Sequence, residues 1–476
     1  MEKPARLFDR EREWEALTAF VWDARPGVKL AAVRGRRRHG KSVLLRALVE
    51  ESGGFYHQAL EGTAAEQLGD LGAAIAGRAG LPAALALPDW GSALDALLGE
   101  HAAVPSPVVL DEFSYLVAAD ASLPSVLQRT LDDRARRGQP TRLVVCGSAL
   151  SIMSSLLVGS APLRGRATVE LPIRPFDYRQ AAAFQDIADP RVAAQVYAVI
   201  AGVPGYSADL LDDDLPRTRA DFDAWAVRGP LSVSRPLLYE ARHLVDDPGV
   251  RDRSVYLSVL AALASGATTN GQVAQRLQRS TTAVAQPLAT LADLGLVIRR
   301  DDPLRARRPT WVVLDPLLRL WAAVLRPDWT RLEQGRAEEV WRDAQARWRT
   351  QILGPTVEDL ARTWTSRFAR SFGRLRDVGA AVVNDPKGRT QHEIDVVGLD
   401  AASGRVAVIG EAKAGVVDVS DLRRLEQVRA LLVARGSADL RTRLLLVGLE
   451  GPTSDLVAAA DPTVELVDAA RLYRGS

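Results

Sequence analysis

The chain is poor in the residue types that staple, anchor or cage a fold. Its 476 residues include one cysteine, Cys146. No internal disulfide can form, and a reducing, cytoplasmic setting is expected. The five histidines show no paired spacing, which argues against a zinc site. No apolar run is long enough to cross a bilayer, so no membrane partner is expected. The opening Met1-Glu2-Lys3-Pro4-Ala5-Arg6 lacks the apolar core of a signal peptide. No internal repeat of about 20–50 residues is visible. Lysine is the scarcest charge: Lys3, Lys29, Lys41, Lys387 and Lys413 stand among 61 basic residues. Arginine serves wherever charge alone suffices, so a retained lysine marks a place for a compact ammonium on a flexible stem. Lys41 and Lys413 each close a motif that needs one.

The remaining composition, 47% hydrophobic and 25% charged, is that of an ordinary globular chain of about two to four domains. A net charge of +2 hides an asymmetry: residues 251–376 hold 21 arginines against 12 acidic residues, and the rest is net negative. Such a stretch suits a polyanion such as DNA, or a solvated arginine face.

The patterning indicates an α/β multidomain chain. Apolar strands at Val28–Val33, Gly54–Gln58, Val108–Leu110, Arg142–Cys146 and Thr168–Leu171 alternate with helical stretches. Parallel βαβ units follow, forming an α/β core over 1–175. Residues 176–245 read as a helical lid, and 246–325 as three helices and a hairpin. Residues 326–476 read as a Trp- and Arg-rich linker helix, then helix, three strands, helix and strand.

Gly35-Arg36-Arg37-Arg38-His39-Gly40-Lys41-Ser42 follows the first strand and opens a helix. Its backbone N–H groups suit phosphate oxygens, Lys41 the terminal phosphates of ATP, and the Ser42 hydroxyl a Mg²⁺ ion. Val108-Val109-Leu110-Asp111-Glu112 supplies the acidic partner: Asp111 to hold the metal and Glu112 to polarise the attacking water. Cys146-Gly147-Ser148 ends a further strand, with Ser148 either a γ-phosphate sensor or a helix N-cap. In Pro162-Leu163-Arg164-Gly165-Arg166, Arg164 and Arg166 are candidate arginine fingers, or solvated loop arginines.

These motifs, with Phe8-Asp9-Arg10-Glu11 and Leu110-Asp111-Glu112-Phe113, resemble an archaeal-type ATPase family that lies near the AAA+ and STAND groups. His39 departs from it, standing where a small apolar residue is common. Ala201-Gly202-Val203-Pro204 looks like the Gly-x-Pro motif of the family's lid, which makes Pro204 a nucleotide contact by that resemblance. The family also implies a winged helix and a restriction-endonuclease-like domain. For the first, a recognition helix spans Thr281 to Leu294, and Arg305, Arg307 and Arg308 sit at the wing turn. This is a DNA-docking arrangement, in which Pro287 should kink the helix; in STAND-type proteins the domain often packs on the nucleotide site instead.

For the second, Glu358, Asp395 and the run Glu411-Ala412-Lys413 resemble the D…E-x-K pattern of metal-dependent nucleases. The carboxylates would clamp a divalent ion and Lys413 would meet the attacked phosphate; Arg424 and Gln427 share the next helix's face. Short patterns of this kind also arise as solvated charges at strand ends. Three readings follow. One is an ATP-driven switch acting on DNA through the nuclease-like domain, with genome defence as a setting. Another is a regulatory ATPase whose nuclease fold only binds DNA or a protein. The last is a scaffold that homo-oligomerises on ATP.

Overall fold

A computed structural model describes residues 1–99, 106–159, 161–250, 252–386 and 388–476, without the side chains of 306–308. It divides into two compact units: Met1–Pro175 with Asp247–Arg251, and Phe176–Asp246 with Asp252–Ser476. Among the described residues no helix is long and apolar enough to cross a membrane.

The first unit is built on five parallel strands: β1 (Val28–Arg34), β2 (Phe55–Gln58), β3 (Val108–Asp111), β4 (Thr141–Gly147) and β5 (Ala167–Pro172), in the order β2-β3-β4-β1-β5. Helices cover both faces, so the central strands read as unbroken apolar runs. Alternate residues still divide between two cores. Leu30, Ala32, Leu110 and Val145 face one side; Ala31, Val33, Val109, Val144 and Cys146 face the other. Because β4 lies between β1 and β3, the C-terminal ends of three neighbouring strands bring the phosphate loop, Asp111 and Ser148 together.

The second unit begins with helices Tyr178–Phe184, Pro190–Ile200, Pro204–Ala208, Arg219–Arg228 and Leu237–His243. Helices Arg253–Ala264, Asn270–Leu277 and Thr281–Asp293 follow, then the antiparallel hairpin β6 (Val297–Asp302) and β7 (Arg305–Val313). The linker is two helices, Trp329–Glu333 and Ala337–Arg347, parted at Gly335 with φ 75°. The second of these runs through a π-turn, Trp348–Leu353, into helix Gly354–Arg367. The last sheet holds β8 (Leu375–Asp385), β9 (Thr390–Asp400), β10 (Val406–Lys413), β11 (Arg443–Gly448) and β12 (Val464–Val467), ordered β12-β11-β10-β9-β8. The β8-β9-β10 part is antiparallel and the β10-β11-β12 part parallel. Helix Val419–Ala434 is the crossover between β10 and β11.

Candidate functional site

The phosphate loop takes its shape from residues that tolerate a left-handed backbone. Gly40 has φ 85° and Arg38 φ 68°. A Cβ on Gly35 would lie 2.6 Å from the Ile173 carbonyl oxygen, so only glycine fits there. His39 turns inward, its Nδ1 3.1 Å from that same carbonyl. Burial, helped by the Arg36 charge, pulls its pKa down to about 3. The imidazole is therefore a neutral buttress beneath the loop, and its bulk is taken up by the core rather than by the phosphate side. Helix Lys41–Ser52 starts at the loop's end. Lys41 Nζ donates to the Arg36 carbonyl at 2.9 Å.

Asp111 is fully buried at the end of β3. Its Oδ2 accepts from Ser42 Oγ and from Tyr56 Oη, each at 2.6 Å, and its Oδ1 accepts from the Glu112 N–H at 2.9 Å. Burial works to raise its pKa, but bonds from Cys146, Ser42 and Tyr56 prevail and hold the carboxyl below its usual range. A hydroxyl and an ionised carboxylate converging in this way are the hard oxygen donors Mg²⁺ prefers, so the donor set fits that ion.

Glu112 has φ 52°, a strained conformation for a residue with a side chain. Its Oε2 accepts from Ser148 Oγ at 2.8 Å. Ser148 does not cap the following helix, whose N-cap is Ala149; its hydroxyl is spent on Glu112. Arg166 is tied to Asp132 by two bonds of 3.1 and 2.8 Å, and Arg164 donates to the Gly159 carbonyl at 2.6 Å. Arg37 pairs with the Tyr115 hydroxyl.

Tyr56 escaped the sequence reading. It sits on β2 beside β3, in register with Val109, and Arg46 lies 4.3 Å from its ring centre. Its hydroxyl orients the carboxylate meant for the metal. Tyr56→Phe removes one hydrogen bond, worth about 0.5–1.5 kcal/mol. A Mg²⁺ titration of ATP turnover should show the half-saturating concentration rise by about 3–10-fold. An unchanged Mg²⁺ requirement would leave Tyr56 a packing residue.

In the second unit, Pro204 opens the short helix Pro204–Ala208. The preceding Gly202 packs so closely on Phe176 that a Cβ would lie 2.0 Å from its carbonyl oxygen. The lid motif thus shapes the lid's own beginning. The recognition helix Thr281–Asp293 continues through Pro287, which faces the core. Its exposed face carries Thr281, Thr282, Ala285 and Gln286, with Arg279 just before it. The wing is differently placed from the sequence expectation. Pro303 at its tip packs against Gly379 of β8, and Leu304 joins the core of the last sheet. Arg305 is half-buried, and the side chains of Arg307 and Arg308 fall outside the described residues.

Asp359, on helix Gly354–Arg367, binds three guanidiniums: Arg300 at 2.7 Å, Arg319 at 3.0 Å and Arg362 at 2.8 Å. Burial opposes ionisation, but the charges of Arg362, Arg319 and Arg300 hold its carboxyl far below the usual range. A depressed acid contributes stability above the unfolded pKa of about 3.9 and loses it as pH falls. Asp359→Ala leaves Arg319, 8% exposed, without its counter-charge, and Arg362, 11% exposed, with only the more distant Glu358 at 3.6 Å. The expected cost is about 3–5 kcal/mol, read as a lower urea midpoint for the second unit. A loss below about 1 kcal/mol would make the cluster a solvent-screened network.

Arg362 continues from Asp359 into the carboxylate site. It donates to the Asp395 carbonyl at 2.7 Å and lies 3.6 Å from Glu358. Glu358 is pushed up to about 7 by burial and by the Asp395 charge. Asp395 is also raised, by burial, although its Oδ2 accepts from the Ala412 N–H at 2.9 Å. Glu411 pairs with Arg424, and Lys413 Nζ lies 2.5 Å from Asp421. Among the described residues no three carboxylate, imidazole or thiol side chains are gathered into a metal cage. Glu358 and Asp395 lie close enough for the charge of one to act on the other, while Glu411 is held apart by its pair with Arg424.

No family model matches the chain. An uncharacterized protein of Methanocaldococcus jannaschii is 23% identical over 360 residues, covering 74% of this chain and 76% of that one. The fold is similar to the Walker-type ATPase of Pyrococcus abyssi, at 19% identity and TM-score 0.48, over 67% of this chain and 97% of that one. It is also similar to the ORC2 protein of Aeropyrum pernix, solved as ADPNP and ADP complexes, at 18% identity and TM-score 0.46, over 72% and 97% of the two chains. The ORC1 protein of the same organism, solved with DNA, follows at 16% identity and TM-score 0.30, over 69% and 95%.

Proposed function

We propose that this chain is an ATP-binding and ATP-hydrolysing switch of the archaeal-type AAA+/STAND kind, acting on DNA through a metal-dependent, nuclease-like second unit. The observation that carries the reading is the convergence of Ser42, Asp111 and Glu112 at the strand ends beside the phosphate loop. Ser42 and Asp111 would hold Mg²⁺, which would supply positive charge against the nucleotide's phosphates. Lys41 exchanges the Arg36 carbonyl for phosphate oxygens, and the loop N–H groups hold the rest. Glu112, released from Ser148, takes the proton of the attacking water. Arg164 or Arg166 serves as a finger offered to a neighbouring copy.

DNA enters the proposal through the basic stretch 251–376 and the exposed end of the recognition helix. The wing tip is occupied by β8, so Arg279 and the helix face replace Arg305, Arg307 and Arg308 as the proposed docking surface. Arg279→Ala should flatten the plot of log affinity against log salt by about 0.9, one phosphate contact, and Arg305→Ala should leave it unchanged. The opposite pattern would return the interface to the wing.

A second reading, a regulatory ATPase with a silent nuclease fold, draws on the pairing of Glu411 and Lys413 with this chain's own Arg424 and Asp421. The deciding experiment is incubation with supercoiled plasmid, Mg²⁺ or Mn²⁺, and ATP or a non-hydrolysable analogue. Nicking by the wild type and none by Asp395→Ala supports the first reading. Salt-sensitive binding without nicking supports the second.

A further inference from the structure

Arg10 breaks the local rules of its own position. It is the N-cap of helix Glu11–Val21, yet its side chain makes no cap hydrogen bond. Helix starts favour short polar side chains and negative charge. Its backbone is left-handed, φ 71°, directly after Asp9 at φ 53°. Two such residues in succession, each with a Cβ, are costly. Its guanidinium is only 6% exposed, which disfavours a charge unless it is paired. Glu13, at 3.3 Å, supplies the counter-charge. The helix itself gains nothing from arginine here.

What the arginine reaches is the phosphate loop. Its Nη2 donates to the His39 carbonyl at 3.1 Å, from 29 residues away. The His39 ring is tied separately, through Nδ1, to the Ile173 carbonyl. The peptide between His39 and Gly40 is therefore held from its buried side. That peptide is trans, and a planar trans peptide points its N–H opposite to its C=O. With the carbonyl directed at Arg10, the Gly40 N–H faces away from the buried side. Gly40 could not enforce this alone. It sits at φ 85°, and glycine accepts φ of either sign, so a turned peptide meets little resistance there. The partner of the carbonyl decides, and a charged donor is the stronger kind.

We infer that Arg10 is a positioning residue of the nucleotide site: by holding the His39 carbonyl it aims the Gly40 N–H at a phosphate oxygen of the nucleotide. This rests on the ATP-binding reading above. The left-handed turn at Asp9 and Arg10 is the backbone's part in placing that side chain.

His39-Gly40 is the sole His-Gly pair in the sequence. The full chain, deuterated and labelled with carbonyl-¹³C histidine and ¹⁵N glycine, therefore gives one HNCO peak for this peptide. Its carbonyl shift reports the bond from Arg10, and its amide shift the bond to phosphate. The probe is ADP with a chelator, so no metal takes part. In the wild type, ADP should move the Gly40 amide proton strongly downfield, as a hydrogen bond to an anion does. Arg10→Met keeps the length and loses the donor. Its His39 carbonyl should move upfield, its Gly40 amide should no longer answer ADP, and the Kd for ADP should rise about 10-fold. The other glycine amides should stay in place, which separates positioning from a loss of fold. Arg10→Lys keeps the charge beside Glu13 on a shorter stem and should fall between the two; if Arg10→Met does not fold, it carries the comparison. A Gly40 amide that answers ADP alike in wild type and variants, with ADP affinity unchanged, overturns the positioning role and leaves the nucleotide site standing. A wild-type Gly40 amide that ADP does not move overturns the reading of the loop, and the role of Arg10 with it.

Discussion

Glu112→Gln should bind ATP as the wild type does and hydrolyse it at least about 100-fold more slowly. Binding should be spared because, in the proposed mode, the triphosphate would be held by the loop N–H groups and Lys41 rather than by Glu112. Shape is spared because glutamine is the same size, and its carbonyl oxygen still accepts from the Ser148 hydroxyl. The left-handed backbone at 112, φ 52°, costs both residues alike. Only the capacity to take a proton is lost. A nucleotide-binding titration beside a phosphate-release assay separates the two effects. Lys41→Ala is the contrasting variant and should lose binding first, since removing the ammonium exposes phosphate charge with nothing to meet it. Turnover at the wild-type rate in Glu112→Gln would take Glu112 out of the reaction.

The parts of this site that lie within one element were legible from residues alone. The five apolar strands stand where the pattern places them, because buried parallel strands have to be apolar on both faces. The phosphate loop, Asp111 and Glu112 are each defined by a strand end and the residues next to it. Tyr56 was not legible. Its role depends on β2 pairing with β3 in the register that sets Tyr56 beside Val109, and nothing within Phe55–Gln58 signals that partner. Ser148 was ambiguous for the same reason: a serine after a strand caps a helix or faces a neighbour, and only the position of β4 beside β3 decides.

In the second unit the order of elements in the last sheet could be read as far as β11, with β12 unforeseen, and so could the positions of Glu358, Asp395, Glu411 and Lys413. Their counter-charges could not. Arg362 reaches the Asp395 carbonyl from 33 residues away, and Arg300 and Arg319 meet Asp359 from other elements. Charge pairs of this kind follow from packing, not from local pattern. The wing shows the converse. Basic residues at a hairpin turn suggest a groove-binding tip, yet Pro303 and Leu304, apolar residues within that turn, are half-buried and pack against the last sheet. Those two were the local signal that the turn packs on the chain's own last sheet. Pro287 likewise sits on the buried face of its helix, where the missing N–H disturbs no exposed docking residue.

Lys413→Arg should lower plasmid nicking by about 100-fold or more while the second unit stays folded and ATP turnover is unchanged. The ammonium at 413 is placed by Asp421, 2.5 Å away, which is itself fixed by the helix cap. An arginine would keep the ion pair with Asp421 and so keep stability. Its broad, planar head would swing the charge along the Asp421 carboxylate instead of leaving a compact donor facing the attacked phosphate. The ATP site lies in the first compact unit and Lys413 in the second, so turnover serves as the internal control for folding and concentration. In the proposed site the carboxylates would hold the ion, so Mn²⁺ binding should also survive the substitution. That pattern, metal retained and cleavage lost, assigns Lys413 to the phosphate. Nicking that persists in Lys413→Arg, and equally in Asp395→Ala and Glu411→Ala, would show that strand ends β9 and β10 carry a binding surface only.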